Sequence, residues 1–171
     1  TYDAIEFVEG EDGPSDYYRV TSGGMVGIMA LDGTLVIAPE WDEIVYREGA
    51  ALHAVRKGVK WGFVNDTGSV VVPCRYDKTV GFGSQDIARI TNGGKWGLLG
   101  SSGKEILPCK YDHIEPFADE LAMVVNNGRY GYVDEQGREV VLCKYEQARS
   151  FSQGRAAVKM RGLWGFLRKD G

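Results

Sequence analysis

Apolar and polar residues alternate with a period of two along most of the chain, in short runs separated by glycine-bearing turns. In the segment RAAVKM, Ala156 and Val158 fall on one face while the residues between them fall on the other. A period of two is typical of strands with one buried face. Turns such as NNG at 126–128 and DEQG at 134–137 connect the runs. The pattern predicts an all-β protein made of β-meanders with about three short strands each.

The pattern recurs five times with a period of about 35 residues. Each of the last four copies contains an aromatic residue followed by glycine, and a second glycine lies six positions further on. We call the aromatic members the signature aromatics: Trp61-Gly62, Trp96-Gly97, Tyr130-Gly131 and Trp164-Gly165. A Tyr or Trp followed by an acid opens each copy, which predicts one repeat domain, 1–171, with units at about 2–40, 41–75, 76–110, 111–144 and 145–171.

Repeats of this kind bury apolar faces that a single copy leaves exposed. We expect the signature aromatics to form a buried ladder between units, with Trp41 less important than Trp96 because it lies nearer one end. Each signature glycine is expected where a neighbouring ring or backbone approaches closely. The favoured fold is five units stacked as an open, superhelical, solenoid-like array. A five-bladed β-propeller is the alternative, because such units can also close radially.

These motifs resemble the WG repeat family of bacterial proteins, through YDHI at 111–114, the WG dipeptides and VVPCRYD at 71–77. The resemblance covers essentially the whole chain. It implies a binding or surface module without an assigned activity or shared catalytic residues. The first unit departs from the pattern, with MVG in place of WG and an insertion at 10–15, and we expect it to cap one end.

Charge and composition narrow the range of partners. A net charge of −4 and an isoelectric point near 5.3 argue against binding to a nucleic-acid backbone. No apolar run approaches the roughly 18 residues that a membrane span needs. Residues 1–24 carry a balance of −5 and residues 144–171 a balance of +5, which predicts weak head-to-tail self-association. The compartment stays open.

The remaining candidate chemistry favours structure over catalysis. Cys74, Cys109 and Cys143 occupy one repeat position, and alternation places them on the buried face as inert thiols. No CxxC motif or histidine pair indicates a metal, and we expect no cofactor. No serine or cysteine has a histidine and a carboxylate at a recognisable spacing, so no enzyme is expected.

Two further patterns give specific expectations. Arg75 with Asp77, and Lys110 with Asp112, lie two residues apart and are expected to pair along one face or across neighbouring units. A third pair of this kind is Lys144 with Glu146.

His53 lies where later units carry alanine, and Tyr18 is its counterpart in the first unit, so these larger side chains either fill space or border a groove. The expected function is a non-enzymatic binding or scaffolding module that presents a repeat surface to protein or glycan partners. The alternative is a carbohydrate or small-molecule hydrolase, or a sensor, with a pocket near His53 and Tyr18.

Overall fold

The computed structural model of the protein describes residues 1–10, 13–82 and 86–169. Within these residues the chain forms β-strands and no helix, as predicted. The burial pattern of Arg155–Met160 shows why such a segment becomes a strand: Ala156 and Val158 are buried, and the residues between them are more exposed. The all-β repeat fold is therefore confirmed.

The strands form five antiparallel sheets, numbered here in chain order. The first contains β1 (Ala4–Gly10), β2 (Gly13–Ser22), β3 (Met25–Ala30) and β4 (Leu35–Trp41). The second contains β5 (Glu43–Val45), β6 (His53–Lys57), β7 (Lys60–Val64) and β8 (Val70–Tyr76). The third contains β9 (Lys78–Val80), β10 (Ile87–Asn92), β11 (Lys95–Gly100) and β12 (Glu105–Tyr111). The fourth contains β13 (His113–Ala118), β14 (Leu121–Asn126), β15 (Arg129–Asp134) and β16 (Glu139–Tyr145), and the fifth β17 (Gln147–Ala148), β18 (Arg155–Met160) and β19 (Leu163–Arg168).

The first four sheets have four strands each, so the predicted meander of three strands is wrong for them. The additional strand follows directly after the Tyr-Asp or Trp-Asp pair that opens each unit. In the second and third sheets it is only three residues long, and in the fifth only two. A segment this short cannot show a period of two, and the sequence pattern therefore missed it.

The signature glycines are required by a close approach of two backbones, as predicted. In the second sheet Trp61 pairs with Tyr76 and Phe63 with Val72, so residues 73–75 stand opposite the single Gly62. This β-bulge brings the backbone of β8 over the glycine. A Cβ on Gly62 would lie 2.4 Å from the carbonyl oxygen of Val72. The corresponding distances to a fourth-strand carbonyl are 2.6 Å at Gly27, 2.6 Å at Gly97 and 2.5 Å at Gly131.

The second recurrent glycine lies in the turn between the third and fourth strands. Gly137 has a φ of 74°, which favours glycine. A Cβ there would lie 2.4 Å from the carbonyl oxygen of Ile106, in the fourth strand of the preceding sheet. Asp134 Oδ1 closes the turn by accepting hydrogen bonds from the backbone N–H groups of Gln136 and Arg138, at 3.0 and 2.8 Å. The fifth-unit equivalent, Gly171, lies outside the described residues.

The chain divides into two compact units, residues 1–88 with 101–103 and residues 89–100 with 104–171. Each has a core that joins neighbouring sheets, as repeats require. In the first unit, Ile28, Ile37, Trp41, Ile44, Val55 and Val64 pack together. In the second, Leu121, Met123, Tyr132, Val141, Tyr145, Ala148, Phe151, Ala156, Val158 and Leu167 pack together. The single domain predicted from the sequence, and its choice of an open array over a propeller, stay predictions.

Candidate binding surface

The signature aromatics lie at the margin of the buried columns, not inside them. Each of the first three pairs with the last residue of a fourth strand, at the end of that sheet, and is only partly buried: Trp61, Trp96 and Tyr130. Trp164 is 50% exposed. The wholly buried column lies two residues further on and consists of Phe63, Leu98 and Tyr132. The predicted buried ladder is therefore wrong for the signature aromatics.

The aromatic residue that opens each unit is buried more deeply than its signature partner. Trp41 packs with Ile28 and Ile37, whereas Trp96 is only partly buried. The expectation that Trp41 matters less than Trp96 is therefore reversed, because burial depends on the strand position and not on distance from the chain end. The buried opening residues are Trp41, Tyr76, Tyr111 and Tyr145.

Cationic side chains lie beside the signature aromatics. In the first unit the Arg56 guanidinium lies 5.9 Å from the ring centre of Trp61. In the second unit the Arg89 guanidinium lies 5.8 Å from the ring of Trp96, and the His113 ring meets the same indole edge-on at 5.6 Å. Partly exposed Trp, Tyr and Arg side chains are the residue types that dominate protein-binding hot spots. This row of rings and cations is the candidate binding surface.

Lysines beside the signature aromatics form the ion pairs of this surface. Lys60 binds Asp77, and Lys95 binds Asp112. The expected pair of Lys110 with Asp112 is absent, because Lys110 Nζ reaches Glu139 Oε1 of the next sheet at 2.6 Å. The alternative of pairing across units is correct there. Lys95 and the backbone N–H of Asn127 hold the pKa of the Asp112 carboxyl below its usual value.

Neither of the other two expected pairs stands as predicted. Lys144 lies over the ring of Tyr145, at 5.4 Å, rather than against Glu146. Glu146 Oε2 instead accepts a hydrogen bond from the backbone N–H of Gly162 at 3.1 Å. Arg75 Nη2 donates to the hydroxyl of Tyr76 at 2.8 Å. Cross-strand geometry therefore outweighs sequence spacing in choosing these partners.

The three thiols are half-buried, not fully buried as expected. Each Sγ lies 3.8 to 3.9 Å from a carbonyl oxygen in the second strand of its own sheet, because the fourth-strand bulge carries the cysteine over that sheet. Burial raises the pKa of the Cys74 and Cys143 thiols. A raised pKa reduces the thiolate fraction and is consistent with low reactivity.

His53 fills space inside the first unit. Its side chain is 1% exposed and its ring stacks on Tyr46 with centres 4.2 Å apart. The backbone N–H of Arg47 lies 3.4 Å from Nδ1, and Nε2 lies 3.0 Å from Asp66 Oδ1. These contacts fit a neutral ring protonated at Nε2. Burial lowers the pKa of His53, and the Asp66 carboxylate opposes that shift.

Tyr18 occupies the equivalent register position, as predicted. Tyr18 pairs with Met29 in the first sheet just as His53 pairs with Val64 in the second. Its ring packs on Phe7, with centres 4.6 Å apart. The ring that reaches toward the histidine is that of the adjacent Tyr17, 4.9 Å from Tyr46. Among the described residues no ring contact joins Tyr18 to His53, so the structure does not bring the two predicted groove residues together.

Other candidate sites show little chemistry. One cavity of about 340 Å³ in the second unit holds charged groups that already pair, Lys169 with Glu120 at 3.0 Å and Arg138 with Asp134 at 2.6 Å. The described ranges contain no cluster of three or more His, Cys, Asp or Glu residues able to hold a metal ion. Within the same ranges, no helix is long and apolar enough to cross a membrane.

Five small antiparallel sheets with one glycine-and-bulge motif in each of the first four define an all-β tandem-repeat protein. A family profile described as WG containing repeat matches residues 61–96, 96–130 and 130–164, which together make up more than half of the chain. The chain belongs to this family. No curated protein matches it significantly.

Several solved structures resemble the chain in fold. The crystal structure of a eukaryotic initiation factor is 9% identical over 89% of this chain and 48% of that one, with a TM-score of 0.52. Hsv2 of Kluyveromyces lactis is 14% identical over 98% and 62%, with a TM-score of 0.42. PorZ of the Porphyromonas gingivalis type-IX secretion system is 8% identical over 100% and 25%, with a TM-score of 0.37. The chain thus spans less than two thirds of each. The first likeness concerns the fold alone, and the two lower scores support no conclusion.

Proposed function

We propose that the protein is a non-enzymatic binding module that presents its signature aromatics to protein or glycan partners. The observation that carries the proposal is the partial exposure of these rings. Packing of the repeats is supplied by the column of Phe63, Leu98 and Tyr132, which is wholly buried. The recurrence of a second, half-exposed aromatic in every unit from Trp61 onward therefore needs another explanation, and ligand contact is one.

The cations strengthen this explanation. Arg89 is held by a hydrogen bond from its Nη1 to the carbonyl oxygen of Ile114, at 2.9 Å, while its guanidinium lies beside Trp96. A side chain that is already held in place loses little conformational entropy when a partner binds. An aromatic ring flanked by a fixed cation suits both the side chains of a protein partner and the face of a sugar ring.

The hydrolase or sensor alternative has less support. A catalytic or sensing histidine must reach its substrate, whereas His53 is 1% exposed and both its ring nitrogens lie near protein groups. Tyr18 packs on Phe7 instead of sharing a pocket with it. These contacts favour the space-filling interpretation of both residues.

The experiment screens immobilised glycans and extended peptides against three proteins: the wild type, Trp96→Ala/Tyr130→Ala, and Val59→Ala. Val59 is an exposed apolar residue, 82% accessible, in a turn and serves as the matched control. We expect at least one probe to bind the wild type and the control equally and the double variant at least about tenfold more weakly. The class of the bound probe decides between protein and glycan. Equal binding by the double variant, or no binding of any probe, contradicts the proposal.

Head-to-tail self-association stays a separate prediction. It rests on the opposite charge of the two ends, and Glu11, Asp12 and Asp170, which contribute to that balance, lie outside the described residues. Sedimentation at low salt and at about 0.5 M salt tests it, because salt screens exposed charges. A strict monomer under both conditions would remove it.

A further inference from the structure

The outer edge of β19 differs from the same edge in every other sheet. In the first four sheets the third strand is covered by a fourth strand, whereas in the described part of the fifth sheet β19 is the last strand. The difference is sharpest at the signature glycine. A Cβ on Gly131 would lie 2.5 Å from the carbonyl oxygen of Val141, but a Cβ on Gly165 meets nothing within 4 Å. The fifth sheet thus has a glycine shaped for a bulged strand.

The side chains along this edge match the same description. Trp164 is 50% exposed and Phe166 80% exposed. In the fourth sheet the equivalent residues lie opposite β16: Tyr130 pairs with Tyr145, and Tyr132 with Val141. The two uncovered rings of β19 therefore lie where a paired strand would place an aromatic and an aliphatic side chain.

A charged group on the neighbouring sheet points to the first residue of the absent strand. Glu139, the first residue of β16, accepts hydrogen bonds from Lys110 Nζ and from the Tyr111 hydroxyl, each at 2.6 Å. Lys144 and Tyr145 repeat this pair one sheet later, with the ammonium 5.4 Å from the ring centre, compared with 5.1 Å for Lys110 and Tyr111.

No described carboxylate lies within ion-pair distance of Lys144, and no described group binds the Tyr145 hydroxyl. An acid that entered at the position of Glu139, one sheet further on, would meet both groups. The edge of β19 and this cation-hydroxyl pair are thus two independent features that fit one strand.

We propose that the edge of β19 is a strand-acceptor site, which binds in trans an extended peptide with the pattern of a fourth strand. Such a peptide carries an acid at its first position, an aliphatic residue at the third and an aromatic residue at the seventh, as in β12 and β16. It pairs antiparallel to β19. Its aromatic residue then lies opposite Trp164, its aliphatic residue opposite Phe166, and its acid opposite Leu167, within reach of Lys144.

The physical basis is strand addition to a sheet edge. Unpaired N–H and C=O groups of an edge strand form main-chain hydrogen bonds with an added strand, and alternate side chains provide specificity. Here the bare backbone at Gly165 adds a further requirement, because only a bulged peptide fills the space above it. This inference rests on the proposed function as a binding module, but it uses the edge of β19 and not the row of signature aromatics.

The test measures binding of a synthetic peptide that copies residues 138–146, with Cys143→Ser to prevent oxidation. The proteins are the wild type, Gly165→Ala, and Gly81→Ala as the matched control, since a Cβ on Gly81 also meets nothing within 4 Å. We expect saturable binding with equal affinity for the wild type and the control. Gly165→Ala should bind at least about tenfold more weakly, because its methyl group would overlap the peptide backbone.

A charge exchange provides a second variant that does not depend on the glycine. Lys144→Glu should weaken binding of the same peptide, and a peptide with Glu139→Lys should restore it. Saturable binding with this reversal supports the site. Absence of saturable binding to the wild type, or equal binding by Gly165→Ala, overturns it.

Two further outcomes distinguish the possible occupants and the two proposals. A wild-type dimer that Gly165→Ala converts to a monomer would assign the edge to a second copy of the chain and overturn the peptide as occupant. Trp96→Ala/Tyr130→Ala should bind the strand peptide as the wild type does, because neither ring touches the β19 edge. Loss of the strand peptide alone therefore leaves the proposed function standing, and loss of the glycan or peptide hits alone leaves the strand-acceptor site standing.

Discussion

The fourth and fifth sheets, both in the second compact unit, carry the same motif in the same register and yet differ in burial. Tyr132 in β15 is 0% exposed, whereas its equivalent Phe166 in β19 is 80% exposed. Both residues follow a signature glycine and both pair with the second strand of their own sheet. The difference shows that a repeat does not bury its own inner column. The fourth strand and the next unit complete the burial.

The contact of Tyr132 with the following unit illustrates this dependence. Its ring meets Phe151 edge-on with centres 4.8 Å apart, and its hydroxyl donates to the carbonyl oxygen of Arg149 at 2.7 Å. Burial raises the pKa of Tyr132 to about 12. Around Phe166, the described residues instead border an open depression of about 540 Å³. The energetic value of a signature position therefore depends on the neighbour that follows it.

The largest expected effect separates the two columns of this comparison. Tyr132→Ala should lower the free energy of unfolding by about 3–5 kcal/mol, because it removes a buried ring and leaves a cavity. Phe166→Ala should change it by less than about 0.5 kcal/mol, since an exposed ring has little to lose. Urea unfolding followed by circular dichroism measures both. Similar losses for the two variants would show that the exposure of Phe166 does not describe the protein in solution.

The next effect compares an opening aromatic with a signature aromatic. Trp41→Ala should cost about 3 kcal/mol, because Trp41 is 8% exposed in the first core. Trp96→Ala should cost about 1 kcal/mol, as a partly buried ring does. The same urea titration applies. A greater loss for Trp96→Ala would restore the buried ladder that the sequence predicted.

A smaller effect concerns the acid that joins the third and fourth sheets. Hydrogen bonds from Lys110 and from Tyr111 lower the pKa of Glu139. Its carboxylate therefore contributes stability above its unfolded pKa and loses that contribution as the pH falls through the lower folded value. Glu139→Gln should lower the free energy of unfolding at pH 7 by about 1 kcal/mol and flatten its decline in acid. An unchanged acid profile would contradict this role.

The smallest effect concerns His53. Its pKa is lowered in the folded state by burial, so the unfolded chain binds a proton more readily. Stability should therefore be complete above the ordinary pKa of about 6.5 and decline as the pH falls below it. Asp66 and Tyr46 face the ring, and the declining segment should vanish in His53→Ala, which carries the residue found in later units. Parallel pH profiles for the two proteins would contradict a buried neutral histidine.

Repeat spacing predicted much of the fold correctly. The distances between glycines placed Tyr18 and His53 at equivalent register positions, and the structure confirms this equivalence. The recurrence of Gly62 and its equivalents correctly indicated a close backbone approach. Both predictions succeed because a repeat converts sequence spacing directly into register.

Burial and pairing were harder to predict. Alternation gives the face of a strand but not the distance from its end, and it therefore treated Trp61 and Phe63 alike, although only Phe63 is 0% exposed. Lys110 pairs with Glu139, 29 positions away, because the contact crosses sheets. A spacing of two residues could not reveal it. The candidate site was missed for the same reason, since exposure is a property of neighbouring units.

The central claim is that a fourth strand makes the signature glycine necessary. The most direct test measures the free energy of unfolding of Gly131→Ala and Gly165→Ala beside the wild type. The account predicts that Gly131→Ala is clearly destabilised, because its Cβ would lie 2.5 Å from the carbonyl oxygen of Val141, and that Gly165→Ala matches the wild type or is slightly more stable. Equal losses at both glycines, or no loss at Gly131, would contradict it.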